Sequence, residues 1–269
     1  MSSATQDLLD QCAQRIGRTL DPLAERRLRR WAEGTNRAAD RLVDSLLARP
    51  EHEWTAVIFA HRAHRHDWYK ELAQRATIRD FAVFLLENRA FPAFVPLLQR
   101  LLDAQICDEG RAAIQRNLAD EQIPVPHAEL MARLMSAVKE RAGADLRLES
   151  YPSLVNRTLV FYYGYYCDPW HLVGSLFATE AMAYRRVTRM GAGLARLGLD
   201  EADMEFIRIH SNCDDEHARD WIDGVIVPSV RMQAALRPAI ATGIATCLET
   251  SARYLDDLLA RARRDRAVA

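Results

Sequence analysis

The segment Phe206 to Trp221, FIRIHSNCDDEHARDW, holds the densest set of side chains able to do chemistry. On an α-helix each residue advances about 100°, so Asp214 falls about 40° from His210, and His217 about 20° to its other side. Three ligand-type side chains thus share one narrow face, while Asp215 and Glu216 fall about 140° and 240° away. Phe206, Ile207 and Trp221 flank that face with apolar surface. Imidazoles and a carboxylate in an apolar stripe are expensive unless something pairs their polar atoms, and a metal ion is a natural partner. A solvated helix carrying acidic and imidazole side chains is the alternative. Cys213 lies about 60° beyond His210, on the side away from Asp214, and reads as a bystander.

A second carboxylate lies upstream. Val173, Phe177, Glu180, Tyr184 and Val187 recur at four-, three-, four- and three-residue intervals, a single helical stripe with Glu180 at its centre. A carboxylate there needs a counter-charge, either an arginine or a cation. Further upstream, Glu121 ends one helical pattern and His127 opens the next across Pro124 and Pro126, so the two would flank a tight helix–helix joint; a surface glutamate and a helix-start histidine are the plainer alternative. His61, His64, His66 and Asp67 compete as a metal site, but His66 cannot join the other two on a helix, and Arg62 and Arg65 place positive charge beside them. That segment reads as a solvated basic patch.

The elements that would position these residues are helical throughout. Residues 6–20, 22–34 and 37–49 show apolar positions at three- and four-residue spacing. Thr77 caps a helix running through Phe84 and Leu85, and a second helix follows Pro92. The tyrosine-rich stretch from Tyr151 to Trp170 reads as a helix broken near Gly164 and again at Asp168-Pro169. The Glu180 helix spans about Pro169 to Met190, glycines 191, 193 and 198 punctuate the chain, and Asp200 caps the helix of the central segment. A long terminal helix interrupted at Pro238 ends in a frayed tail. The expected fold is all-α, with residues 1–76 as an N-terminal helical layer packed on the same domain as a metal-binding bundle over 77–269.

With 269 residues, 49% of them hydrophobic, the chain can bury a substantial core. A formal net charge of -1 gives no electrostatic case for a nucleic-acid or membrane partner. The N-terminus lacks a secretory pattern and no stretch approaches about 20 apolar residues, so a soluble cytoplasmic protein is expected. Five scattered cysteines without a C-x-x-C pair fit reduced thiols. No G-x-S-x-G element, Gly-rich phosphate loop or repeat is present.

Together Glu121, His127, Glu180, His210, Asp214 and His217 form a ligand mix that suits iron or manganese better than structural zinc, and two metals would fit. Their order resembles that of the heme-oxygenase-like di-iron oxidases and oxygenases, in which a Glu and a His from one helical region and a Glu from the next core helix precede a His-x-x-x-Asp-x-x-His helix. The matching positions are Glu121 in NLADE, His127 in PHAEL, Glu180 in FATEAMA, and His210, Asp214 and His217 in HSNCDDEH, within a resemblance spanning about Thr77 to Leu259. The resemblance implies a heme-oxygenase-like bundle without heme, two ferrous ions per chain that activate dioxygen as co-substrate, and a small amino-acid, fatty-acid or aromatic-amine substrate. N-oxygenation, oxidative C–C cleavage and decarboxylation are the implied reactions, with Glu180 and Asp214 as catalytic carboxylates and with a homodimer left open. Tyr162, Tyr163, Tyr166, Phe177 and Tyr184 could line a substrate pocket or simply pack a core. Two rivals remain: a metal-free enzyme on the same scaffold, like thiaminase II or pyrroloquinoline-quinone synthase, and a non-catalytic helical interaction protein.

Overall fold

Thr77 and Asp80 close a reciprocal cap, the Thr77 N–H donating to the Asp80 carboxylate at 2.7 Å and the Asp80 N–H to the Thr77 hydroxyl at 3.2 Å. A helix starts there, as the sequence predicts, and a computed structural model of the chain shows how it fits among the others. The structure describes residues 3–88, 93–104, 106–143, 146 and 151–268, except the side chains of residues 3, 212–217 and 268. All regular structure among the described residues is helical, and the fold is all-α.

The N-terminal part comprises α1 (Ser3–Gln14), α2 (Pro22–Arg37), α3 (Asp40–Leu47), α4 (Trp54–Ala60), α5 (Arg62–Arg65) and α6 (Asp67–Gln74). After these come α7 (Ile78–Asn88), α8 (Phe94–Leu102), α9 (Asp108–Asp120), α10 (His127–Ala142) and α11 (Pro152–Cys167). The remainder is α12 (Pro169–Arg196), α13 (Glu205–Arg219), a π-helical turn Asp220–Ile226, α14 (Val227–Met232) and α15 (Arg237–Val268).

The long helices α12 and α15 form the spine. A Cβ on Gly174 would collide with the Ile240 carbonyl oxygen, and one on Gly243 with that of His171, so the two backbones touch where neither residue has a side chain. His171 is buried at this crossing, its Nε2 3.0 Å from the Thr246 hydroxyl. That hydroxyl donates to the Thr242 carbonyl at 2.8 Å, so the network places the imidazole proton on Nε2. Burial holds the His171 pKa down at about 3, keeping the ring neutral.

The N-terminal helices share cores with this spine. Leu46, Trp54, Ile58 and Ala63 pack with Val173, Phe177 and Ile244, while Trp68, Tyr69 and Leu72 pack with Val187, Met190 and Leu258. A third cluster joins Leu8, Leu9 and Leu28 to Leu159 and Tyr162.

Several expectations are corrected. Helix α11 runs through Gly164, whose missing Cβ admits the backbone of Leu172 from the next helix, and ends at Asp168. Gly191 and Gly193 lie inside α12, Gly193 because the Leu72 carbonyl packs against it; Gly198 is the residue that turns the chain, at φ +72. Asp200 makes no side-chain cap; a 3₁₀ turn, Glu201–Met204, leads into α13 instead. Pro238 is the second residue of α15, where a missing N–H costs nothing, so that helix is not interrupted. Its tail is helical through Val268 rather than frayed. Arg261 reaches Glu87 at 3.4 Å and Arg266 reaches Glu71 at 2.7 Å, two carboxylates that are buried. The His61–His66 segment is no solvated patch: the ring nitrogens of His61 and His66 cap α5 and α6, and their opposite nitrogens face Glu249 at 3.4 Å and Asp256 at 3.0 Å. No helix among the described residues is long and apolar enough to cross a membrane.

Candidate metal centre

Glu121 is placed by the end of α9. Its N–H donates to the Asn117 carbonyl at 3.1 Å, and its own carbonyl accepts from the His127 N–H at 2.9 Å, so the intervening turn is closed by a direct backbone bond. The two prolines therefore do not separate the pair. Pro126 takes the position before the first turn of α10 and His127 opens that helix, as the sequence predicts.

Across this joint the side chains converge. His127 Nδ1 stands 3.4 Å from Glu121 Oε1 without hydrogen-bond geometry, and this buried nitrogen has no hydrogen-bond partner. An orphaned buried nitrogen facing a carboxylate across that gap is what a shared cation between them would explain. His210 of α13 completes the group, its ring centroid 4.6 Å from that of His127. Glu121, His127 and His210 each offer one ligand atom, and these atoms lie within 4.8 Å of one another.

The second nitrogen of His210 is fixed as well. Nδ1 lies 2.8 Å from the Phe206 carbonyl one turn back, an arrangement that puts the ring proton on Nδ1 and leaves the Nε2 lone pair for a ligand. Burial pushes the His210 pKa down to about 4; the Phe206 carbonyl and the negative charge of Glu180 pull the other way, and the neighbouring His127 and Arg186 add to the depression. The ring is thus neutral near pH 7, the form that binds metal.

Glu180 is placed by α12, where Val173, Phe177 and Val187 are buried with it, and it is itself only 8% exposed. Tyr184 breaks the expected stripe, being 47% exposed. Tyr162, Tyr163 and Tyr166 pack against the N-terminal helices around Leu8 and Leu28. The backbone of α13 carries Asp214 one turn after His210 and His217 nearly two turns after it, while the side chains of Asp214 and His217, with those of Cys213, Asp215 and Glu216, lie outside the described residues. The structure thus brings Glu121, His127 and His210 together and sets Glu180 in electrostatic reach of His210. Asn117 shares the helical stripe of Ala113 and Glu121 in the sequence but is not among the candidate ligands; its side-chain oxygen, one turn before Glu121, is buried without a hydrogen-bond partner, and an amide by its type alone does not signal a metal ligand.

Two imidazoles and a carboxylate, held by three separate helical segments inside an all-α bundle, form a group that could hold a metal ion. Residues 83–252, well over half of the chain, match the model of a family described as iron-containing redox enzymes, and the chain belongs to that family, on the heme-oxygenase-like scaffold. It is therefore an iron-containing oxidoreductase. Comparison with curated proteins found no match.

Proposed function

We propose that the protein is a non-heme di-iron, O₂-dependent oxidase or oxygenase acting on a small amino-acid-like, fatty-acid or aromatic-amine metabolite, by N-oxygenation or oxidative C–C cleavage. Glu121, His127, Glu180, His210, Asp214 and His217 are the ligands in this reading. The observation that carries it is the convergence of Glu121, His127 and His210 within 4.8 Å, with His127 Nδ1 buried and unsatisfied. A mixed carboxylate and imidazole set suits a non-heme iron. When bound, ferrous iron supplies the electrons and the Lewis acidity that O₂ reduction needs.

The chain's own residues prepare the site. Phe206 fixes the tautomer of His210 through its carbonyl, and its ring packs against the imidazole at a centroid distance of 4.0 Å, limiting both rotation and water access. The α9–α10 joint holds Glu121 and His127 by main-chain bonds, so the pair needs little rearrangement to accept a cation. Glu180, buried on the rigid α12, keeps a negative charge beside the imidazoles, which offsets added positive charge. Asp214, on the same face of α13 as His210, is the second carboxylate in that role.

Anaerobic Fe(II) loading followed by iron analysis tests the ligand set. The wild-type chain should retain two Fe(II), and His210→Ala or Asp214→Ala should lose most of that binding. Mixing loaded protein with O₂ across amino acids, fatty acids and aromatic amines tests the chemistry. Full iron retention by both variants would overturn the ligand assignment; no O₂ consumption linked to any product would overturn the oxygenase reading.

A further inference from the structure

A cleft of about 370 Å³ lies between the α1–α2 connection, α2, α8 and the end of α11, and none of its lining residues belongs to the metal centre. Its size falls in the range of small-molecule sites. Most of its lining, Gly17, Arg18, Thr19, Leu20 and Glu25, precedes the family-matched region; Arg100, Tyr165 and Tyr166 lie within that region. The cleft is thus formed where this chain's N-terminal helices meet the shared scaffold.

Its floor is held in place. The Gly17 N–H donates to the Tyr165 hydroxyl at 2.9 Å, Arg100 Nε donates to the Tyr165 carbonyl at 2.9 Å, and the Tyr166 hydroxyl donates to the Cys12 carbonyl at 2.8 Å. The two tyrosine rings stand edge to face with centroids 4.8 Å apart. Gly17 adopts φ +81, a conformation that favours glycine and lets the connection turn over Tyr165.

The charges are unequal. Glu25 is engaged by Arg29, with contacts of 2.8 and 2.9 Å, which leaves Arg18 and Arg100 as lining cations with no carboxylate partner among the described residues. Arg100 keeps its terminal nitrogens beyond the Nε bond, and Thr19 adds a hydroxyl. Two guanidinium groups and the Thr19 hydroxyl in one cleft match a dianion with several acceptor oxygens. We propose that this cleft is a binding site for a small phosphate-bearing molecule, separate from the metal centre, with Arg18 and Arg100 clamping the phosphoryl group from opposite sides of the junction between the N-terminal helices and the scaffold.

Calorimetric titration of the iron-loaded protein with inorganic phosphate and glycerol phosphate, with citrate as a carboxylate control at matched ionic strength, tests this. The expected result is saturable binding of one phosphate-bearing molecule per chain, weakened about 10-fold or more in Arg18→Ala and in Arg100→Ala. Arg18 is exposed and outside the helices, so its variant reports binding even if Arg100→Ala loosens the end of α11. His210→Ala should bind phosphate as the wild type does, which separates this cleft from phosphate on iron. Absence of saturable binding, equal binding by Arg18→Ala and wild type, loss of binding in His210→Ala alone, or tighter binding of citrate would each overturn the proposal.

Discussion

Glu180 and His210 illustrate how burial decides what a side chain can do. The Glu180 carboxylate sits among Phe177 and Val187 on the buried face of α12, and its charge raises the affinity of the nearby His210 ring for a proton, although burial dominates and keeps that ring neutral. In the proposed site the same charge would act on a cation. Glu180→Gln keeps the side-chain volume and removes the charge, so it should lower Fe(II) retention and abolish O₂ consumption while the far-UV circular dichroism stays that of the wild type. Equal O₂ consumption by Glu180→Gln and wild type would show that this carboxylate does not serve the metal. At this scale the sequence was informative where geometry is periodic: the 3.6-residue repeat placed Glu180 inward and put His210 on the apolar-flanked face of its helix, while that face's meeting with the α9–α10 joint came only from the fold. It misplaced Tyr184, which shares the stripe yet is exposed, because periodicity sets direction on a helix but not where the neighbouring helices end. The imidazoles of His61 and His66 were misread for another reason. Their caps are local, but the carboxylates that pair with their opposite nitrogens, Glu249 and Asp256, lie nearly two hundred residues away in sequence.

The elements most sensitive to substitution are α12 and α15. Gly174→Ala or Gly243→Ala would drive a methyl group into a facing carbonyl, and rigid main chains cannot yield as side chains can, so each should destabilise by about 3 kcal/mol or more in urea unfolding. A loss below about 1 kcal/mol would show that the two helices can move apart cheaply. The same crossing gives a pH dependence. His171 is held neutral in the folded state to about pH 3 by burial, whereas its unfolded value lies near 6.5. Between these limits the unfolded chain binds a proton that the folded one does not, so this stability is fully present above pH 6.5 and is lost as pH falls toward 3. The slope is about 1.4 kcal/mol per pH unit for this one group. Chemical-shift titration of the imidazole should show no protonation of folded His171 between pH 7 and 5; a midpoint near 6 would refute the assignment. None of this contact was legible in the sequence. Gly164, Gly191 and Gly193 read as breaks because a glycine signals only a missing side chain, and whether that absence serves a turn or a close approach depends on the partner helix.

At the scale of the whole molecule, the proposed centre ties together segments that are otherwise joined by connections. Glu121 and His127 belong to the α9–α10 joint, whereas His210 comes from α13, more than eighty residues later, and α13 continues into the π-helical turn that packs on α9 through Gly224 and Ala113. Without a cation, His127 Nδ1 stays buried without a hydrogen-bond partner while facing the Glu121 carboxylate, so α13 and the joint should be the least protected of the buried elements. Helix α15 contributes none of the proposed ligands. Fe(II) bound only by the folded chain, at a free concentration near a hundred times its dissociation constant, would stabilise by about 2.7 kcal/mol. For a chain of this size that corresponds to a rise in Tm of about 5–10 °C. Hydrogen exchange should slow on loading chiefly in residues 119–130 and 205–219 and change little along 237–260. His210→Ala should show neither the shift in Tm nor the local protection, since it removes the one ligand in the Glu121, His127 and His210 group that comes from α13. A uniform slowing over all helices, or a shift of the same size in His210→Ala, would mean that iron acts on the fold through some other set of residues.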